Sequence, residues 1–153
     1  MRESLKTALV FGVSLLVGFV IGGYLFSETQ RRPALSLRKC GQPRLKLKEL
    51  MGLLASVALN KFPGLVPSVA LETDATIAIR HPSPQKRVHY VVIPKKDITN
   101  IGALSEEDGE YLIDLFAVIQ ELVKEEHLIS YEVLTNGPGK QTVAYLHFHL
   151  IAD

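Results

Sequence analysis

The chain has 153 residues, a formal net charge of +1 and 47% hydrophobic residues, enough for one packed domain plus an appendage and too apolar for a disordered segment. The net charge averages over segments of very different character and by itself argues neither for nor against nucleic acid, which is not expected as a partner. A single cysteine, Cys40, excludes an intramolecular disulfide, a CxxC redox pair and a thiolate metal knuckle.

Residues 1–27 are expected to form a single-pass transmembrane anchor with a short N-terminal flank. No charge falls between Thr7 and Ser27, and the run approaches the ~20 apolar residues that a bilayer-spanning helix needs. A cleaved signal peptide is the rival reading, but signal cores are usually shorter and no small-x-small site follows Gly23 convincingly. Arg31, Arg32, Arg38, Lys39, Arg44 and Lys46 follow the span, whereas Arg2 and Lys6 precede it. That bias predicts a cytoplasmic C-terminal domain. Ser14, Gly18 and Gly22 place a small-residue groove on one helix face, compatible with helix pairing or with plain lipid contact.

Residues 28–44 are basic and broken by Pro33, Gly41 and Pro43, which predicts a juxtamembrane linker. In residues 45–66, Leu47, Leu50, Met51, Leu54 and Ala58 recur at helical spacing, with Glu49, Gly52, Ser56 and Asn60 mostly opposite. An amphipathic helix is expected, ended by the break at Lys61-Phe62-Pro63-Gly64; its apolar face is expected to pack on its own domain, with a membrane surface or a partner as the alternative.

Residues 67–153 carry the pattern of a small α+β domain, an antiparallel sheet with one long helix. Thr73–Arg80 and Val88–Ile93 alternate as two strands around the proline-containing turn HPSPQKR. Ser105, with Asp108 three residues on, caps a helix of about twenty residues with the stripe Leu112, Leu115, Phe116, Ile119, Leu122 and Val123. Ser130–Thr135 is a third strand, and Gln141–Asp153 a fourth after a Gly137-Pro138-Gly139 turn. In the fourth, a period of two puts Tyr145, His147 and His149 on one face and Ala144, Leu146, Phe148 and Leu150 on the other. One face suits a helix; the other suits chemistry.

The order of SPQ, the His89 strand, VIPKK, NGPGKQT and the strand YLHFHL resembles the histidine triad (HIT) family of nucleotide hydrolases and transferases, over about Leu71 to Asp153. The resemblance implies attack on the α-phosphorus of a nucleotide or nucleotidyl conjugate, a nucleotidyl-histidine intermediate, no cofactor, and a homodimer. His147 matches the family's nucleophile and His149 its phosphate-contacting neighbour. The nucleophile needs one free lone pair, its opposite ring proton held by a backbone carbonyl, usually on an adjacent strand. Tyr145 stands where the family has its first histidine; it can support geometry but cannot be a cation at neutral pH. Asn136, Gly139, Gln141 and Thr142 match the phosphate-holding turn, where glycine lets amides converge on an anion, and Lys140 adds charge.

His89 aligns with a supporting histidine of the family, and His81 falls where the family often has a ribose-binding acid. Lys95 and Lys96 are expected to form a solvated basic turn with a modest steering effect. His127 is assigned no function beyond favouring the dipole at the end of its helix. Two rival readings compete with a membrane-anchored hydrolase: a catalytically weak or inactive nucleotide-binding scaffold, and a zinc site on His147, His149 and His89.

Overall fold

The computed structural model describes residues 2–33, 35–37 and 43–153. Arg38, Lys39, Cys40 and Gly41 lie outside the described residues. The elements are helix α1 (Arg2–Phe26), strands β1 (Leu35–Leu37) and β2 (Pro43–Leu45), helix α2 (Leu47–Lys61), strands β3 (Val69–Glu72), β4 (Thr76–Arg80) and β5 (Val88–Pro94), helix α3 (Gly109–Glu125), and strands β6 (Glu132–Leu134) and β7 (Phe148–Ala152). β1 and β2 pair with each other, and β3 to β7 build one antiparallel sheet in the order β3-β4-β5-β7-β6. The α+β class read from the sequence therefore holds.

Alternation decides which sheet face does what. Val88, Tyr90 and Val92 of β5 and Phe148, Leu150 and Ala152 of β7 join Ala78, Leu115, Val118, Ile119 and Leu122 in the main core against α3. His89, Val91 and Ile93 of β5 and His149 of β7 take the opposite face. α3 starts after a short turn at Glu106–Asp108, where the Ser105 N–H and hydroxyl both donate to the Asp108 carboxylate (2.7 and 2.9 Å). It ends where His127 adopts a left-handed φ of 52°, with His127 N–H bonded to Lys124 O and Leu128 N–H to Val123 O, a Schellman closure.

Three expectations are corrected. The last strand covers only Phe148–Ala152; Thr142–His147 is irregular, because Leu146 N–H bonds Ile98 O and Ala144 N–H bonds Lys48 O instead of a neighbouring strand. An unanticipated strand, β3, opens the sheet before Thr73. α2 is turned the other way round: Gly52, Ser56 and Leu59 are buried, while Leu47, Met51 and Leu54 are 64%, 43% and 52% exposed. The reason is close approach. A side chain at Gly52 would sit 2.4 Å from the Ala144 carbonyl oxygen, so the face carrying Gly52, Ser56 and Leu59 meets the domain, while Leu47, Met51 and Leu54 point away from it.

α1 contains one stretch, Lys6–Phe26, long and apolar enough to cross a membrane, and none of it is buried within the molecule. Its end is tied to the domain by a Lys61–Glu28 ion pair at 2.6 Å and by Lys61 stacked over the Tyr24 ring.

Candidate active site

An open cleft of about 460 Å³ lies on the sheet face opposite α3, between β4, β5, the β7 entry and α2; its walls include Ala55, Leu59, Ile79, Val91, Ile93 and Val143. His81, His147, His149, Asn136, Lys140, Thr142 and Tyr145 also line it. Six of the nine site residues read from the sequence therefore meet in one place, with Lys140 beside them. His89, Gly139 and Gln141 do not line the cleft.

His147 Nδ1 lies 2.7 Å from the Tyr145 carbonyl oxygen. A carbonyl oxygen can only accept, so this contact puts the ring proton on Nδ1 and leaves the Nε2 lone pair free. The carbonyl sits two residues back in the same segment, not on an adjacent strand as expected. That arrangement is available because residues 142–147 are not extended.

His149 is held differently. It belongs to β7, in register with Val91 on β5 and Leu134 on β6. Gln85 N–H points at His89 Nδ1 (3.3 Å), and His89 Nε2 meets His149 Nδ1 at 3.0 Å. With its Nδ1 accepting, neutral His89 carries its proton on Nε2 and donates to His149; neutral His149 then presents an Nε2–H outward. The pair His147 and His149, with ring centroids 5.1 Å apart and nearly perpendicular, thus offers one lone pair and one donor side by side. Burial, then the neighbouring His147, His89 and His81, lowers His149 to about 4, so it is neutral at physiological pH. Burial also lowers His89, with His81 adding to the effect.

His81 stacks flat on His89, centroids 4.1 Å apart and planes 8° apart, and its Nδ1 accepts from Ser83 N–H at 3.0 Å. Candidate metal donors are His81, His89 and His149, whose nitrogens lie within 4.8 Å of one another; His147 is replaced by His81 relative to the trio read from the sequence. His89 Nδ1 and His149 Nδ1 already accept hydrogen bonds within the protein, and a metal ion would require these tautomers to change.

Tyr145 is 2% exposed, packs with Leu59 and Ile77, and donates its hydroxyl to Lys95 O at 2.9 Å. Burial, together with the Asp97 charge, pushes its phenol well above the usual range. Its side chain therefore forms a wall, and its backbone carbonyl serves His147. The turn before it departs from a glycine nest. Lys140 and Gln141 N–H both bond Gly137 O, and a side chain at Gly139 would meet open space with no left-handed φ to adopt. Gln141 is buried and directs its amide to Thr99 O and Tyr145 O. Lys95 and Lys96 are not a solvated turn. Lys95 pairs with Glu72 at 2.8 Å and Lys96 with Asp108 at 2.7 Å, and both border a separate cleft with Asp97 and Tyr111.

Sequence reasoning missed Arg32, Gly52 and Asp97, which meet behind Tyr145. Asp97, directly after the VIPKK run and before an apolar Ile98, was the one visible sign: a carboxylate at the end of a buried strand needs a cation.

Comparison with known proteins agrees with this fold. Residues 64–153 match the family model described as scavenger mRNA decapping enzyme C-terminal binding. An uncharacterized HIT-like protein of Synechococcus elongatus is 35% identical over 86 residues, covering 54% of this chain and 75% of that protein. Among solved structures, a HIT family hydrolase from Legionella pneumophila aligns at TM-score 0.57 and 29% identity, over 61% of this chain and 88% of that one. A histidine triad nucleotide-binding protein from Candida albicans aligns at TM-score 0.51 and 26% identity, over 61% and 71%. With the His147-x-His149 segment at the end of the matched fold, the chain belongs to the histidine triad family.

Proposed function

We propose that this protein is a membrane-anchored nucleotide hydrolase or transferase that acts at the α-phosphorus through His147. The carrying observation is the Nδ1–H···O=C contact from His147 to Tyr145 (2.7 Å), which leaves Nε2 free beside the cleft. In the proposed reaction Nε2 attacks phosphorus, the bond to the leaving group breaks, and water then releases the nucleoside monophosphate from the histidine. His149 Nε2–H donates to a phosphate oxygen as charge develops there, and Asn136, Lys140 and Thr142 contact the phosphate. His81 and the apolar wall of Ile79, Val91 and Ile93 receive the nucleoside. The HIT family hydrolase and the nucleotide-binding protein to which the chain is similar support this class of substrate.

The test is AMP release from adenosine 5′-phosphoramidate by the full chain in detergent. Wild type turns over, and His147→Ala falls by at least about 1,000-fold, as expected for loss of a nucleophile. Equal silence of both proteins across a nucleotide panel would sink the enzyme reading. The burial of Tyr145, which denies the cleft a third polar triad side chain, favours a second reading: a nucleotide-binding scaffold with little turnover. Calorimetric binding without product would select it.

Membrane attachment rests on α1 and on Leu47, Met51 and Leu54 of α2, apolar side chains turned away from the domain. In this reading residues 1–27 are the anchor, 28–44 a juxtamembrane linker, 45–66 the amphipathic helix and its break, and 67–153 the cytoplasmic domain. A homodimer is proposed through the β6 edge, where Ile129 is 98% and Tyr131 46% exposed, since an unpaired apolar edge invites a second copy.

A further inference from the structure

The peptide group that precedes the Tyr145 carbonyl's residue is held by the N-terminal extension. Ala144 N–H bonds Lys48 O at 3.0 Å, and the Ala144 carbonyl accepts from Arg32 Nε (3.2 Å) and Nη2 (3.1 Å). The same guanidinium uses its other edge on Asp97, Nη1 to Oδ2 at 2.6 Å and Nη2 to Oδ1. Gln30 N–H adds a bond to Oδ2 at 2.8 Å. Both side chains are 1% exposed. The guanidinium carbon also lies 5.9 Å from the Tyr145 ring centre, within cation–π range. Gly52 leaves the room: an added side-chain carbon there would lie 2.4 Å from Ala144 O and 2.9 Å from Arg32 Nε.

Magnitudes separate stability from placement. A buried ion pair often adds little over an apolar pair of the same volume, because desolvation offsets the attraction, and its best-attested gain is a fixed register. What Arg32 fixes is the segment 144–145, and Tyr145 O is the atom that sets the His147 tautomer. The planar fork with donors on two edges is needed to reach a carbonyl and a carboxylate together, which an ammonium cannot reproduce. Arg32, Lys48 and Gly52 all precede the residues that match the family model, so this support is an addition to the shared fold. Arg32 is also only six residues past the end of α1 at Phe26.

We infer that Arg32, braced by Asp97, is a positioning residue that seats His147 by fixing the Ala144–Tyr145 backbone, and so makes the pocket geometry depend on the segment leaving the apolar helix. The inference rests on His147 being the working histidine. It is tested on the full chain in detergent micelles with ¹⁵N-labelled histidines, using Arg32→Met, Arg32→Lys and Asp97→Asn. In Arg32→Met the His147 ring nitrogens change from one Nδ1–H form to a mixture while the His149 signals stay. On adenosine 5′-phosphoramidate kcat falls by about 10- to 100-fold, the scale of a small misplacement, with KM within about threefold. Arg32→Lys recovers part of both. Asp97→Asn, which leaves the guanidinium its carbonyl partner, gives a smaller change in the same direction. A folded Arg32→Met chain with wild-type His147 signals and wild-type kcat overturns the inference. If Arg32→Met does not fold, an Arg32→Lys chain with wild-type His147 signals overturns it equally. If wild type itself shows no turnover, the enzyme reading fails, and the tautomer signal still decides the role of Arg32.

Discussion

Two histidines two residues apart are supported by different parts of the molecule. His149 sits in regular strand, its backbone in register with β5 and β6, its ring backed by His89. His147 lies one residue outside the strand, and its ring proton is held by a carbonyl whose own position depends on Arg32, Lys48 and the packing of Gly52. Regular sheet fixes a side chain through many local bonds, and losing one shifts it little. An irregular segment is fixed by a few long-range contacts, and each matters. The comparison teaches that the donor half of the site is a property of the shared sheet, while the lone-pair half depends on this chain's extension.

The sharpest way to break this asymmetry is Gly52→Ala. The added carbon collides with a backbone carbonyl rather than a flexible side-chain tip, so α2 or residues 144–145 must move. A loss of about 3 kcal/mol, the upper range for overpacking, is expected in chemical denaturation. The ring signals of His147 should move more than those of His149. Equal movement of both would show that the two halves are not separately supported.

The converse perturbation is His89→Leu, close in volume but without a donor. It leaves His149 Nδ1 without its partner in a partly buried position, for about 1–3 kcal/mol of stability. His149 signals should shift and those of His147 should not. A shift confined to His147 would overturn the tautomer chain from Gln85 through His89 to His149.

A further contrast lies in the pH dependence of stability. His149 and His89 both have folded values below the ordinary 6.5, His149 at about 4. Between those values the unfolded chain binds more protons than the folded one, so stability rises with pH across that window. Stability present above pH 6.5 is therefore lost as pH falls toward 4. Melting temperature followed from pH 7 to pH 4 should drop, and His149→Gln should flatten part of that drop. An unchanged slope in His149→Gln would mean that His149 is not the group whose charging opposes the fold.

Much of the sheet was legible before any coordinates. The strands read as Thr73–Arg80 and Val88–Ile93 and found at Thr76–Arg80 and Val88–Pro94, the capping pair Ser105 and Asp108, the stripe of α3, and the alternation of Phe148, His149 and Leu150 are local patterns, and local periodicity survives folding when one face is buried. His147 and His149 do share the cleft that their sequence spacing suggested, although His147 precedes the strand whose alternation was the basis of that reading. Phe116, assigned to the stripe, proved half exposed at its edge, packed edge-on against Phe148.

What the amino-acid order alone determined was the class of fold and the family, and it singled out histidines that the fold brings to one cleft. Tertiary structure decided how those histidines are held. Arg32 reaches Asp97 across 65 residues and Ala144 across 112, and no periodicity encodes a contact of that span. The orientation of α2 was likewise unreadable: its apolar stripe predicted burial, but the close approach of the Ala144 carbonyl selected the face carrying Gly52 and Ser56. A backbone oxygen seeking donors in a buried place outweighed the gain from covering three apolar side chains, because an unpaired buried carbonyl and its neighbouring charges are costly while exposed Leu47, Met51 and Leu54 can be covered by something other than the chain itself.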